Sequence, residues 1–462
     1  MTPAGFDAPR LLLAPRCVWG ERGFVTGLGV LVEEGRFAAV APVEELRARH
    51  PGLAQVALPD HALLPGFVDA HHHLTQSFGK ALAFGEPSEI FRRVWVPLES
   101  HLDEETVFLS AKLGALEALR GGFTSVVDAG TRHETGAALI ARATEEAGLR
   151  CVLGLICNDI TPAGTQEMAP ILRRAEQHLA RWTGEMVRPS LAVSIPELGT
   201  DALLARVAAL CLEAGVPFQT HANEHLVAVE RSIVARGMRP VEQLHAAGAL
   251  NPAALLAHAT LLTAPELGML RDTGAAVAYC PVATQWKGNA AAPALLMQEM
   301  GIRFGLGTDA TRADGFRLMD AAEAVQRQGY GIPQGDFSQG AGWTWLEAAT
   351  SGAAAVSGLP MAGRVAPGCH ADFLLVDLEV PELTPSRDLA WELVRFGNRD
   401  QITAVFVGGV MRLWRGWPPG WDGRALMAEV RARVEAAVAK APIVKLHGDS
   451  ARHRLAWLRR RR

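Results

Sequence analysis

Residues 63–71 read LLPGFVDAH and run directly into His72 and His73. An apolar run of strand length that ends in aspartate and histidine has the pattern of a buried parallel strand, whose chemistry sits at its C-terminal end. Seven further runs follow the same plan: FTSVVDAG (123–130), RCVLGLICND (150–159), RPSLAVSIPE (188–197), PFQTHANE (217–224), ALLAHAT (254–260), AAVAYCPV (275–282) and IRFGLGTDA (302–310). Between them lie stretches of helical periodicity, among them Glu104–Arg120, Thr135–Ala147, Asp201–Ala214 and Pro293–Met300. Near-continuous apolar strands alternating with helices imply parallel strands covered by helices. Eight such units predict an α/β fold, a (β/α)8 TIM barrel with its site at the C-terminal strand ends. A doubly wound open sheet is the rival, but no G-x-G-x-x-G follows the first strand.

Outside the barrel the pattern changes. LLLAPRCVW, GLGVLVEEGRFAAVA, ADFLLVDL and ITAVFVGGVMRL alternate like strands, with hairpin signals at Glu21–Gly23 and Gly408-Gly409. The division expected is a small β-sandwich domain built from 1–61 and 366–420, a barrel over 62–365 and a helical tail over 421–462. The helix of that tail is expected at Arg424–Lys440.

Composition narrows the functional class. The chain has 462 residues, 49% hydrophobic, with 45 Lys plus Arg against 49 Asp plus Glu. So large an apolar fraction excludes a disordered chain, and a net charge of −4 argues against a nucleic-acid partner. The basic run Arg459–Arg462 reads as a solvated end. No apolar run reaches 18 residues, so no membrane partner is expected. The N-terminal apolar run before Pro15 is too short for a signal segment, and six cysteines without a C-x-x-C suit reduced thiols in the cytoplasm.

The strand ends carry the chemistry. Residues two apart on a strand share a face, so His71 and His73 point together while His72 points away. Three more strand ends offer His221 with Glu224, His258, and Asp309. Histidine nitrogens with a carboxylate suit a mononuclear divalent metal, with zinc first and iron or manganese accepting the same ligands. A lone histidine at a strand end is ordinarily a packing residue; four strand ends supplying ligand types together are not.

PGFVDAHHHLTQ, HANE, AHAT and GLGTDA resemble, in order and spacing, the amidohydrolase superfamily, closest to its cytosine-deaminase, guanine-deaminase and triazine-hydrolase branch. The likeness spans nearly the whole chain. It implies one metal, Zn2+ or Fe2+, held by His71, His73, His221 and Asp309. It further implies Glu224 as the proton-handling acid and base, and His258 as a residue that binds and polarises substrate. Asp309 would then also orient the attacking water, and so counts among the catalytic residues with Glu224 and His258. The chemistry agrees: a metal-activated water attacks, and a carboxylate moves its proton to the ring or the leaving group.

Binuclear relatives use a carboxylated lysine at the end of the fourth strand. The five lysines here, Lys80, Lys112, Lys287, Lys440 and Lys445, all lie far in sequence from 194–197, which favours one metal. The cytidine-deaminase signature, H-x-E with P-C-x-x-C, is absent as well. The wording HHHLTQ is similar to 8-oxoguanine- and isoxanthopterin-deaminase members, which makes Gln76 a candidate to read the edge of a heterocycle. Trp95 and Arg312 are candidates to wall or clamp a flat ring, as is Trp286. Three segments depart from the branch pattern: Cys280-Pro281-Val282-Ala283-Thr284, Ser194-Ile195-Pro196 and ATRADGF at 310–316. In the family these loops touch substrate, so they bear on which ring is bound and leave the metal ligands intact. His61, His101, His133, His178, His245 and His370 lie off the strand ends and read as ordinary residues.

The expected activity is metal-dependent hydrolytic deamination of an amino-substituted N-heterocycle of purine, pterin, pyrimidine or triazine type. A triazine-type hydrolase releasing chloride or an alkylamine shares the same centre. From a different class, a catalytically silent barrel acting as a binding protein remains to be tested. The expected partner is a small heterocyclic substrate, and the resemblance leaves a homo-oligomer open.

Overall fold

The computed structural model describes residues 5, 6, 8–86, 89–331, 335, 340–446 and 450–460. Eight strands form one parallel sheet in chain order: β1 Phe67–His72, β2 Phe123–Asp128, β3 Arg150–Ile156, β4 Val187–Ala192, β5 Phe218–Ala222, β6 Ala254–His258, β7 Ala276–Tyr279 and β8 Phe304–Leu306. The backbone N–H groups of Thr308 and Asp309 donate to the His71 carbonyl at 3.1 and 2.9 Å, joining the last strand to the first. The result is the (β/α)8 barrel expected from the eight apolar runs.

The first strand begins later than its apolar run. Leu63–Pro65 belong to a neighbouring sheet, where Leu63 lies opposite Leu375, and the chain changes sheets at Gly66. Hydrophobicity continues through this transfer because both sheets are buried. The covering helices start and stop on ordinary caps. Asp103 accepts the Thr106 N–H at the head of Glu104–Arg120. Thr200 opens Asp201–Ala214, which closes on left-handed Gly215.

The second sheet has eight strands drawn from both ends of the chain. Its path runs Val410–Trp414, Ile402–Val407, Phe373–Asp377, Gln55–Pro65, Arg10–Gly20, Leu28–Glu33 and Arg36–Pro42, with Gly23–Thr26 beside Arg10–Gly20. Gly408 and Gly409, at φ 58° and 71°, make the two-residue turn of the last hairpin, a conformation that costs other residues energy. One continuous sheet curls over its own core: Phe37 meets Phe373 at 5.9 Å between ring centroids, and Phe373 stacks on Phe406 at 4.3 Å. A buried ion pair ties this core to the barrel, with Arg150 of β3 donating through Nε (2.6 Å) and Nη2 (3.1 Å) to Asp372.

A helix over Gly423–Lys440 follows, and a further one, Ser450–Arg459, has no buried residue. Arg461 and Arg462 of the basic run lie outside the described residues. Among the described residues, no helix is long and apolar enough to cross a membrane.

Candidate active site

The C-terminal ends of β1, β5, β6 and β8 converge. His73 Nε2 lies 3.2 Å from His221 Nε2 and 3.3 Å from Asp309 Oδ1, and His71 Nε2 lies 3.5 Å from the same oxygen. His71, His221, His258 and Asp309 each place a ligand atom within 4.8 Å of the others. Four donors around a zinc ion, at 2.0–2.1 Å each, stand about 3.3 Å apart along a tetrahedral edge, close to the spacing seen. His71 Nε2 and His258 Nε2 are buried without a hydrogen-bond partner, as expected of nitrogens that face an ion or a ligand. The donor set thus fits a divalent metal.

Local structure prepares these ligands. His221 Nδ1 donates to the Ser194 carbonyl at 2.7 Å, which leaves Nε2 with its lone pair toward the cluster. His72 turns the other way, as strand alternation requires, and its Nδ1 meets Asp69 Oδ2 (3.1 Å) and Thr308 Oγ1 (2.7 Å). A side chain at Gly307 would be crowded: a Cβ would stand 3.0 Å from both Cys280 Sγ and His71 Cβ. Asn223, His258, Ala259, Asp309 and Ala310 all have positive φ, between 48° and 70°. Backbone strain of this kind, about 1–3 kcal/mol per residue, collects at functional strand ends. At Asn223 the surroundings hold it: Nδ2 donates to Glu266 at 2.8 Å, and Thr260 Oγ1 donates to the Glu224 carbonyl at 2.6 Å.

Burial disfavours the charged form of His71, His221 and His258, and neighbouring groups favour the ionised form of the acids. Burial pushes His71 down, and it pushes His221 well down with help from His71 and His73. His258 falls to about 4, through burial first, with Glu224 opposing and Lys287 reinforcing. Burial alone would raise Glu224 and Asp309, but His258 and Lys287 hold both below the ordinary carboxylate range. Neutral histidines beside an ionised carboxylate are the ligand forms that a metal requires.

Most of the candidates from the sequence meet here. Glu224 Oε1 lies 3.8 Å from His258 Nε2, which is also 3.8 Å from Asp309 Oδ2. Trp95 walls the cavity over the cluster and the one adjoining it, and Trp286, whose ring meets Phe84 edge-on at 5.0 Å between centroids, walls the adjoining one. Gln76 borders the cavity, but its Nε2 donates to Glu99 Oε1 at 3.3 Å, and Glu99 is further held by Thr75 and Arg132. Arg312 corrects the sequence reading: it is exposed and lines neither cavity beside the cluster. Thr311, whose hydroxyl donates to the Thr308 carbonyl, takes the inward place in that turn.

One residue escaped the sequence reading. Lys287 ends the helix Pro281–Lys287 after β7, and its Nζ donates to Glu224 Oε1 and to Asp309 Oδ2, both at 2.7 Å. The available signal was a lysine, rare in this chain, just beyond a barrel strand's C-terminal end.

A barrel whose strand ends gather histidines and a carboxylate around a metal-sized space is the architecture of a metallohydrolase. The sequence matches the amidohydrolase family over residues 62–412, and the chain belongs to that family. A short segment, 29–52, also matches a bacterial imidazolonepropionase-like composite domain. A 5-methylthioadenosine/S-adenosylhomocysteine deaminase of Nitratidesulfovibrio vulgaris (Miyazaki F) is 30% identical over 426 residues, 91% of this chain and 96% of the relative. An 8-oxoguanine deaminase of Pseudomonas aeruginosa is 28% identical across 92% of this chain and 98% of its own. The structure of an adenosine deaminase from Xanthomonas campestris with bound zinc superposes with a TM-score of 0.84 at 26% identity, covering 92% of this chain and 98% of that one. An atrazine chlorohydrolase from Arthrobacter aurescens TC1 shares the fold, with a TM-score of 0.81 at 20% identity, over 91% of this chain and 99% of that one.

Proposed function

We propose that this protein is a metal-dependent hydrolytic deaminase of an amino-substituted N-heterocycle, of purine, pterin, pyrimidine or triazine type. The observation that carries it is the position of Glu224, beside His258 and the histidine–Asp309 cluster, at the floor of an aromatic-walled cavity. The similarity to curated deaminases over nine-tenths of the chain supports it.

In this reading His71, His73, His221 and Asp309 would hold one divalent metal, zinc first among those that imidazole and carboxylate ligands suit. Bound there, the metal supplies Lewis acidity and lowers the pKa of a water in its open position. Glu224 takes a proton from the attacking water and delivers it to the ring nitrogen or the departing amine. His258, neutral and buried, hydrogen-bonds the attacked centre as charge develops there. The ring C–NH2 bond breaks, a ring C=O forms, and one water is consumed for each ammonia released. Six buried, unpaired thiols suit a reducing compartment such as the cytoplasm.

Ammonia release from aminopurines, aminopterins, cytosines and aminotriazines, with zinc-loaded protein, tests the reading. Release of chloride or alkylamine without ammonia would move the assignment to a triazine-type hydrolase. Protein that carries no metal and takes none up on zinc addition would instead mark a silent binding barrel.

A further inference from the structure

We propose that Lys287 is a specificity-determining residue that selects rings bearing an oxo oxygen across one ring nitrogen from the amino-bearing carbon. The inference rests on the deaminase reading and narrows its substrate class. An ammonium has three donors. Two are used at 2.7 Å, on Glu224 Oε1 and Asp309 Oδ2, and no third acceptor is present among the described residues. Lys287 also borders both parts of the cavity, the part over the histidines and the part walled by Phe84, Trp95 and Trp286. A flat ring entering between those aromatics meets the remaining donor as its amino-bearing carbon reaches Glu224.

Geometry limits where the acceptor sits. An oxygen accepting from Nζ at about 2.8 Å lies beside the carboxylates that serve the reacting carbon. On a six-membered ring, an oxo group one nitrogen away from that carbon satisfies both contacts; one on the far side of the ring does not. Gln76 is less free to serve this edge, since its amide nitrogen donates to Glu99 and the Glu99–Arg132 pair holds that acceptor. Arg231, the nearby cation of the opposite wall, is committed to Glu197 and Glu89. Arg92 also lines the cavity, but it is half exposed and faces Glu89 and Glu197 at 3.9 and 3.7 Å, so Lys287 is the buried cationic donor that lies against Glu224 and Asp309.

Paired substrates that differ in the oxo group and the ring N–H that accompanies it read this when wild type is set against a Lys287 variant: guanine against 2-aminopurine, and isocytosine against 2-aminopyrimidine. With zinc-loaded protein, kcat/KM is expected to favour the oxo member by about 10- to 100-fold, the worth of one charge-assisted hydrogen bond. In Lys287→Met that ratio falls by about 10- to 100-fold, whatever the absolute rates, and Lys287→Arg restores part of it. Calorimetry on the zinc-loaded Glu224→Gln variant is expected to show the same preference in Kd, and to lose it when Lys287→Met is added. Zinc content and far-UV circular dichroism confirm that each variant is folded and loaded. Equal ratios in wild type and Lys287→Met, or a preference for the oxo-free rings, overturn the inference while leaving deamination intact. Absence of ammonia release from every ring overturns the deaminase reading instead; Kd values that still depend on Lys287 would then retain its part in ring recognition.

Discussion

The Asp69 carboxylate on β1 accepts the Thr308 backbone N–H at 2.9 Å and the Thr308 hydroxyl, so a buried acid clasps the first barrel strand to the segment after the last. The same carboxylate takes the His71 N–H at 3.2 Å and the His72 ring at 3.1 Å, and it raises His72 against the opposing effect of burial. It thereby sets two candidate ligands, His71 and Asp309, at their mutual distance. Asp69→Ala removes the acceptor and leaves its donors buried. Unfolding in urea is expected to show a loss of about 3–5 kcal/mol. Zinc affinity, measured by competition with a chelator, should weaken by about 10- to 100-fold.

The role proposed for Glu224 is proton transfer rather than metal binding. Glu224→Gln keeps the size of the side chain and removes the base. Zinc stoichiometry by elemental analysis should stay at the wild-type value, while kcat falls by about 10²–10⁴. Near-normal turnover would remove Glu224 from the mechanism.

The Arg150–Asp372 pair tests the junction between the barrel and the curled sheet. Asp372 also accepts the Gly408 N–H at 2.7 Å, and Arg150 Nη1 donates to the Glu185 carbonyl at 2.9 Å. Arg150→Met strands a buried carboxylate and should cost about 3–5 kcal/mol in urea unfolding. The double variant with Asp372→Asn should recover part of that loss. The pair lies away from the cluster, so kcat of the folded, loaded single variant should change little.

His178 predicts part of the acid sensitivity. Burial lowers its folded-state pKa below 6.5, against the hydrogen bond from Nε2 to the Leu153 carbonyl at 2.9 Å. A lowered histidine pKa means that the unfolded chain binds more protons, so stability rises with pH up to about 6.5. As pH falls from 6.5 through the folded-state value, that contribution is progressively lost. Urea midpoints measured from pH 7 down to pH 5 should therefore fall, and fall less steeply in His178→Asn.

Much of the barrel was legible because each strand is buried on both faces and reads as a short apolar run. Its ends were legible because titratable residues interrupt those runs at the same relative place. Phase errors arose where burial continues across a structural boundary. Leu63–Pro65 look like barrel strand but pair in the other sheet. The inward or outward sense of ATRADGF depends on a left-handed turn at Asp309 and Ala310 that composition does not reveal. Gln76 lies at the cavity edge, but its partner Glu99 ends the short helix Val96–Glu99, 23 residues away, and only the path of the chain between them brings the two together.

By itself the sequence determined the number and order of the barrel strands, and which of their ends carry histidine and carboxylate side chains, since periodicity and residue chemistry are local properties. Only the tertiary structure decided which polar groups meet. It brought Lys287 onto Glu224 and Asp309, seated Asp69 against Thr308, turned Arg312 to solvent and curled strands from both chain ends around one core. Each of these joins residues far apart in sequence or depends on the sign of φ, and both are settled only when barrel closure and packing fix where every strand end points.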